Sequence, residues 1–589
     1  MKETLIYLLF FGFVFSVAQA QNSDLPKGLT PVEREAMAEY LETRATEAPG
    51  LRVPPSDPVR TMAEWEEIEY LAITWTQYIP VLRDIVKFAH TQCKILIICS
   101  DSSAVIDYLS LRNVPLDNVS FLQTGFNSIW MRDYGANSVY TNDVDSLILV
   151  DWIYNRPRPQ DDVVPAGIAN LLNLPLYSMT SAPEDLVHTG GNFMSDGQGT
   201  AFSSELVLQE NAPGGQFNPT NKSEAEIDSL MKRFMGIDEY VKMTNLPYDV
   251  IHHIDMHMKL LDEETLLIGE YPQGEADGPQ IEANLQYVLS QFQSTFGHPF
   301  EVVRVPMPPH NGNYPDTPGA HYRTYANAVF VNKMILVPTY EQQYDSTALR
   351  IIGEQLPGYE VVGINCNQII PASGALHCIT RAIGVRDPLL ITHRRLRDTD
   401  DNLNDYLVSA EIQHRSGIQS AQVYYTTDTA SGFQLASMTL VDSATNRWEG
   451  YIPSQYNDTT VFYYLDAIAQ SGKQIQRPIT APDGFYEFHV SGPPTAQDDP
   501  LADWLDFPAA FPNPAKAITC VPVKATQRMQ ASVRLYDPAG REVKELFEGV
   551  LQVGESKFFF YAGDYATGTY TLVLDTEYGR LSQKILILE

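Results

Sequence analysis

From residue 58 to residue 397, short runs of β-branched and aliphatic residues alternate with stretches of helical periodicity, which leaves this chain few folds to adopt. Strand candidates are KILIICS (94–100), SLILVDWIY (146–154), TLLIGEY (265–271), AVFVNKMILVPTY (328–340) and LLITH (389–393). Between them, SEAEIDSLMKRFMG (223–236) and IEANLQYVLSQFQSTFG (281–297) repeat apolar residues three and four apart, the period of a helix with one buried face. Strands joined through helices make an α/β domain. No internal repeat is visible in the letters.

At 589 residues the chain is too long for one core, and about three or four domains are expected. Lys2, the apolar run 5–17 and Ala18-Gln19-Ala20 read as an export signal over residues 1–20. That run is too short to span a bilayer, and no later segment is long and apolar enough to do so. Residues 21–57 are polar, rich in Glu and Pro, with one helical stretch over 31–46; they read as a pro-segment or lead-in to the domain at 58–397. DTDDNLNDY (398–406) then spaces Asp398, Asp400, Asn402 and Asn404 like a calcium loop. Leu403 stands where such a loop turns on Gly, and Ser409 where it needs Glu, so a solvated acidic linker is the better reading. From 407 to 491, residues such as Val423 and Tyr425, or Phe462 and Tyr464, alternate with polar neighbours. Short strands at this spacing suggest an immunoglobulin-like sandwich. A linker at 492–505 contains GPPTAQDDP, and residues 506–589 are β again.

The net charge of −33 argues against nucleic acid or an anionic membrane as partner. An acidic surface draws in cationic substrates, though solubility explains it as well. The five cysteines (Cys93, Cys99, Cys366, Cys378, Cys520) leave at least one unpaired in an exported chain. Cys93 and Cys99 flank an apolar run, where burial as small hydrophobes suffices. Cys366 is near enough in sequence to Cys378 to permit a bridge, without requiring one.

Three scattered motifs carry chemistry: GALHCITR (374–381), IWMRDYG (129–135) and HHIDMHMK (252–259). Together they supply a thiol, a His-x-Asp and a further Asp, the parts needed to attack a guanidinium. That group is planar, cationic and rich in N–H donors, so two carboxylates can grip its edges and expose one face. A thiolate then attacks the carbon, an acid protonates the departing ammonia, and water hydrolyses the S-amidino intermediate. Cys378 is the candidate nucleophile. His253 and Asp255, two apart, share a face if the segment is a strand, so that one is the acid/base and the other a guanidinium carboxylate. Asp133 lies near Trp130, whose indole face can stack on the cation. The product is citrulline or its counterpart, and the reaction needs no cofactor. Each residue taken alone is as well explained by packing or capping. His253-x-Asp255-x-His257 also reads as the ligand set of a zinc hydrolase, but no H-E-x-x-H or C-x-x-C accompanies it. An inactive surface adhesin is a further alternative, against which the intact Cys378, His253, Asp133 and Asp255 argue.

These motifs, with IYNRPRPQDD (153–162), HTGGNFMSDGQG (188–199), YANAVFVN (325–332) and ALHC (375–378), occur in the order found in Porphyromonas-type peptidylarginine deiminases. Residues 58–397 resemble that family, a relative of the agmatine deiminases in the guanidino-modifying group. The resemblance implies a five-bladed pentein α/β propeller with Cys378 as nucleophile and His253 as general acid/base. It makes Asp133 and Asp255 the guanidinium anchors, Asn327 an active-site amide near the thiol, and Trp130 a pocket wall. Arg156 and Arg158 look like the family's pair for the carboxylate of a C-terminal arginine. Pro157 and Pro159 hold that run extended, on an edge or loop, leaving its arginines free as forks; pairing with Asp161 and Asp162 is the alternative. Two arginines at the pocket mouth disfavour agmatine, which has no carboxylate and a second cation. Thr189-Gly190-Gly191-Asn192 also matches the peptidyl branch, whereas Val250 stands where that branch has an aromatic. Residues 506–589 resemble the C-terminal sorting domain of type IX secretion cargo of Bacteroidetes, through FPNP (511–514), the 537–540 turn DPAG, GTY (568–570) and the final strand at 584–588. The implied partners are arginine-containing peptides or agmatine and the type IX secretion machinery, with export across the outer membrane.

Overall fold

The computed structural model describes residues 25–44, 50–491, 504–576 and 578–588. The export signal, residues 21–24 and 45–49 of the pro-segment and residues 492–503 of the linker lie outside them. The chain divides into two compact units: one holds nearly everything up to residue 489, the other residues 490–589 with two short pieces, 399–402 and 456–458.

In the first unit one strand pattern occurs five times. One strand pairs antiparallel with a neighbour, which then pairs parallel with a third. Asn137–Thr141, Ser146–Tyr154 and Leu176–Met179 make one such sheet. Met194–Ser195, Thr200–Ser204 and Glu239–Met243 make the next. Met258–Leu260, Thr265–Glu270 and Glu301–Pro306 follow, then Val329–Val331, Met334–Thr339 and Glu360–Asn365. In the fifth sheet, Ile68–Thr74 runs parallel to Lys94–Cys99, and its antiparallel edge is Thr380–Gly384 from the far end of the region. The parallel step always crosses through a helix, as parallel strands require. These helices are Ile79–Ala89, Val164–Leu172, Glu224–Met235, Gly278–Gln291 and Gln342–Gln355. The region is therefore mixed α/β.

Local chemistry accounts for the elements. Lys94–Cys99 is buried at every residue after Lys94, as a central strand covered on both faces must be. Ser223 and Glu226 form a capping box at the start of Glu224–Met235. Gly236 ends that helix at φ 70°, and a Cβ there would sit 1.8 Å from the Val59 carbonyl. AVFVNKMILVPTY is not one strand but a hairpin, because Asn332 turns the chain at φ 52°. The helical stretch read over 31–46 is two helices, Pro31–Glu35 and Met37–Arg44.

Leu390–Thr392 pairs with Tyr406–Gln413, in an antiparallel sheet completed by Arg447–Ile452 and Thr439–Asp442. A second antiparallel sheet holds Gln434–Ser437, Ile418–Thr426, Thr459–Ala469, Gln474–Arg477 and Tyr486–Val490. The second unit is all β. Leu505–Asp506, Ile518–Ala525 and Gly554–Tyr561 form one sheet, and Glu542–Leu551, Met529–Tyr536, Gly568–Thr576 and Gly579–Ile587 the other. Val521, Val533, Leu572 and Ile585 lie in its core. Gly540, at φ 76°, turns the DPAG loop, where Asp537 accepts from the backbone N–H of Ala539 and Arg541. No helix among the described residues is long and apolar enough to cross a membrane.

Candidate active site

Four short helical turns converge on one buried point in the α/β region: Met131–Tyr134, Gly190–Asn192, Ile254–Met256 and His377–Ile379. They carry Asp133, Gly191, Asp255 and Cys378. The HHID segment is not the strand its alternation suggested. His253 precedes a 3-10 turn, anchored where its backbone N–H donates to Asp249 Oδ2 at 2.9 Å. In a turn, residues 253, 255 and 257 do not share a face as they would on a strand. Among the described residues, no group of three His, Cys, Asp or Glu could hold a metal ion.

Asn327 fixes the thiol. Its Nδ2 donates to Cys378 Sγ at 3.2 Å and to the Asp255 carbonyl at 3.1 Å, while its Oδ1 accepts from His377 N at 3.0 Å. Cys378 Sγ also donates to Asp255 Oδ2 at 3.4 Å. His253 Nδ1 is 3.6 Å from Asp133 Oδ1, and neither ring nitrogen makes a hydrogen bond among the described residues. Trp130 is fully buried beside them. Two glycines make room. A Cβ on Gly191 would lie 2.4 Å from His253 Nδ1, and one on Gly374 would meet Trp130 at 2.6 Å and Cys378 Sγ at 3.2 Å. All five cysteines are free, so no bridge ties Cys366 to Cys378.

Every site residue expected from sequence falls in this cluster except Arg156 and Arg158, which lie beside it and hold the lead-in segment. Arg156 Nε donates to the Lys27 carbonyl at 2.7 Å, and Arg158 Nη2 to the Pro26 carbonyl at 2.6 Å. Arg158 pairs with Glu33 at 2.7 Å, rather than with Asp161 or Asp162. Pro159 begins a short helix, Pro159–Asp162, so the run is a loop entering a helix.

The motifs assign no role to three ionisable residues at the site. Lys27 is fully buried, with Nζ 2.8 Å from Cys378 Sγ and 3.9 Å from a carboxylate oxygen of both Asp133 and Asp255. His377 bridges Asp255 Oδ2 (2.8 Å) and Glu64 Oε1 (2.5 Å), and Glu64 also receives Arg132 and Lys259. The only sequence sign for His377 was its place beside Cys378. Glu64, one of several Glu in AEWEEIE, and Lys27, in a polar lead-in, gave none.

Residues 58–383, more than half of the chain, match the family of Porphyromonas-type peptidyl-arginine deiminases. The chain belongs to that family. It is a guanidino-group deiminase, a hydrolase of amidine C–N bonds. Residues 509–588 match the secretion system C-terminal sorting domain, which implies export by the type IX route. An agmatine deiminase of Medicago truncatula is 24% identical over 369 residues, covering 54% of this chain and 94% of that one. A crystal structure of a "putative agmatine deiminase" has a TM-score of 0.50 at 18% identity, covering 57% of this chain and all of that one, a likeness of fold. The agmatine deiminase of Enterococcus faecalis has a TM-score of 0.48 at 20% identity, covering 57% and 99%.

The electrostatics of this deiminase are those of a cation site. Burial and the carboxylates of Asp255 and Asp133 push the Cys378 thiol up to about 12, with the Lys27 ammonium opposing. Burial also acts to raise Asp255, but Lys27 and the hydrogen bond from His377 hold it below the usual carboxylate range. Asp133 is raised by burial, Lys27 pulling the other way. Burial, then the Lys27 charge, keeps His253 well below its ordinary value and therefore neutral. The cluster can thus bind a flat cation between two carboxylates, against a thiol that becomes more acidic when the cation arrives.

Proposed function

We propose that the enzyme deiminates peptidyl arginine, releasing citrulline and ammonia, with Cys378 as nucleophile and a covalent S-amidino intermediate. The observation that carries this reading is the gathering of Cys378, Asp133, Asp255 and His253 around one buried cationic group, with the nitrogen 2.8 Å from the sulfur. A guanidinium in that place is gripped by Asp133 and Asp255, faces Trp130, and presents its carbon to Sγ. Its own charge supplies what the thiol needs to ionise. His253, neutral, buried and without a hydrogen-bonded partner among the described residues, accepts the thiol proton and gives it to the departing ammonia. It then takes a proton from the hydrolytic water. Asn327 holds Sγ in line.

A peptide rather than agmatine is favoured by Arg156 and Arg158. Both donate to main-chain carbonyls next to the pocket, and agmatine would bring an ammonium there instead. A C-terminal carboxylate offers the same guanidinium forks one oxygen more. Agmatine is the second reading, favoured by relatives named for it. The finer architecture belongs to the same proposal. The five sheets read as the blades of a pentein propeller, and the pair of antiparallel sheets over 407–491 as an immunoglobulin-like domain. Residues 1–20 serve as export signal and 21–57 as pro-segment, and the sorting domain hands the chain to the type IX machinery.

The test is citrulline and ammonia release by the full-length enzyme and by Lys27→Ala, each with and without Cys378→Ala. Substrates are a peptide ending in arginine, its C-terminal amide and agmatine. Turnover of peptides, lost with Cys378, supports the assignment; turnover of agmatine alone overturns it while leaving the chemistry.

A further inference from the structure

We propose that residues 25–28 lie in the pocket as a pseudosubstrate: they mark the path of a polypeptide substrate through the site and keep it closed until they are displaced. This rests on the deiminase reading above. The nitrogen of a lysine ammonium lies as many bonds from Cα as the guanidinium carbon of arginine. Nζ of Lys27, 2.8 Å from Cys378 Sγ and equidistant from Asp133 and Asp255 at 3.9 Å, therefore occupies the position of the electrophilic carbon. It is a cation with nothing to attack.

The main chain on either side is held as a substrate's would be. Trp130 Nε1 donates to the Leu25 carbonyl at 3.1 Å, Arg158 to Pro26 O, and Arg156 to Lys27 O. Lys27 N donates to Ala372 O at 3.4 Å, and Arg158 Nη2 reaches Gly28 O at 3.4 Å. The chain passes through the site and continues, so the pocket takes a side chain with residues on both sides of it. An internal arginine therefore fits, and a free terminal carboxylate is not required. The segment has its own anchors. Glu33 pairs with Arg158, Tyr40 Oη donates to Asp162 at 2.6 Å, and Met37 and Tyr40 pack against Ile153, Val187 and Phe217.

The geometry makes Lys27→Arg a self-substrate. Cys378 Sγ would bond to Cζ of the substituted side chain, and a C–N bond would break as the thiol proton leaves with ammonia. Water would then cleave the C–S bond, leaving citrulline at position 27 and the thiol restored. The experiment is mass spectrometry of full-length Lys27→Arg over time and at several protein concentrations. Alongside it runs labelling of Cys378 by a haloacetamidine in the wild type and in Lys27→Ala. Expected are citrulline at position 27, formed at a rate independent of concentration and absent with Cys378→Ala, and labelling at least about tenfold faster in Lys27→Ala. A tethered segment acts at an effective concentration on the order of millimolar, so an affinity of about 0.1 mM gives that factor. Turnover of added arginine peptide by a Lys27→Arg chain whose own position 27 stays unconverted, or equal labelling of wild type and Lys27→Ala, overturns the pseudosubstrate while the deiminase reading stands. No turnover of any guanidino compound by any of these chains sinks both.

Discussion

Gly191→Ala tests whether the four turns need their close approach. The added Cβ lands 2.4 Å from His253 Nδ1, 3.0 Å from Asp133 Oδ1 and 3.1 Å from Asp255 Oδ2, where ordinary contact begins near 3.4 Å. The imidazole, or the Gly190–Asn192 turn, must therefore move by about 1 Å, and a misplacement of that size costs on the order of 100-fold in rate. The same crowding costs about 1–3 kcal/mol of stability. The assay is kcat/KM for a small arginine derivative in the Lys27→Ala background, so that pocket occupancy is not the variable, together with a urea unfolding curve. Gly353→Ala is the control: this glycine sits inside Gln342–Gln355, and its Cβ meets only Val361 Cγ2 at 3.7 Å. A Gly191→Ala protein that is folded and within about threefold of its parent in kcat/KM would refute the argument, since the expected loss is on the order of 100-fold.

In Lys27→Ala, chloroacetamidine should label Cys378 on the order of 100-fold faster than neutral chloroacetamide, from two charge-assisted contacts of about 1.5 kcal/mol each; equal rates would mean that the carboxylates do not receive a cation. Glu64→Gln leaves Lys259 and Arg132 buried without their carboxylate, so the unit should lose about 3 kcal/mol in urea unfolding, and kcat should fall as His377 loosens; a change under about 1 kcal/mol counts against the network. Burial pushes His257 down to about 4, so its contribution to stability is whole above its unfolded pKa and is lost as pH falls through about 4. His257→Gln should flatten the stability slope between pH 7 and pH 5 by about 2 kcal/mol; parallel slopes for variant and wild type would contradict it.

The motifs made much of the site legible. The chemistry of a guanidinium, or family resemblance, points to Cys378, Asp133, Asp255, His253, Asn327 and Trp130, and they meet around one point. Arg156 and Arg158 were tied to substrate recognition, and they are found holding main-chain carbonyls. What failed was local. HHID reads as a strand because periodicity is blind to a 3-10 turn three residues long, and AVFVNKMILVPTY reads as one strand because a single Asn at positive φ carries no apolar signal. The fivefold strand pattern was invisible in the letters because each sheet needs only apolar residues of about the right size, not the same ones.

The sequence by itself determined the alternation of strands and helices over 58–397, the candidate site residues and the sorting tail, since these depend on residue chemistry and on short-range spacing. The tertiary structure alone decided that Lys27, 351 positions from Cys378, fills the pocket, and that Glu64 and His377 stand behind Asp255. A charged residue in a polar stretch looks solvated from its neighbours. Only the fold can bring two carboxylates and a thiol close enough to make its burial favourable.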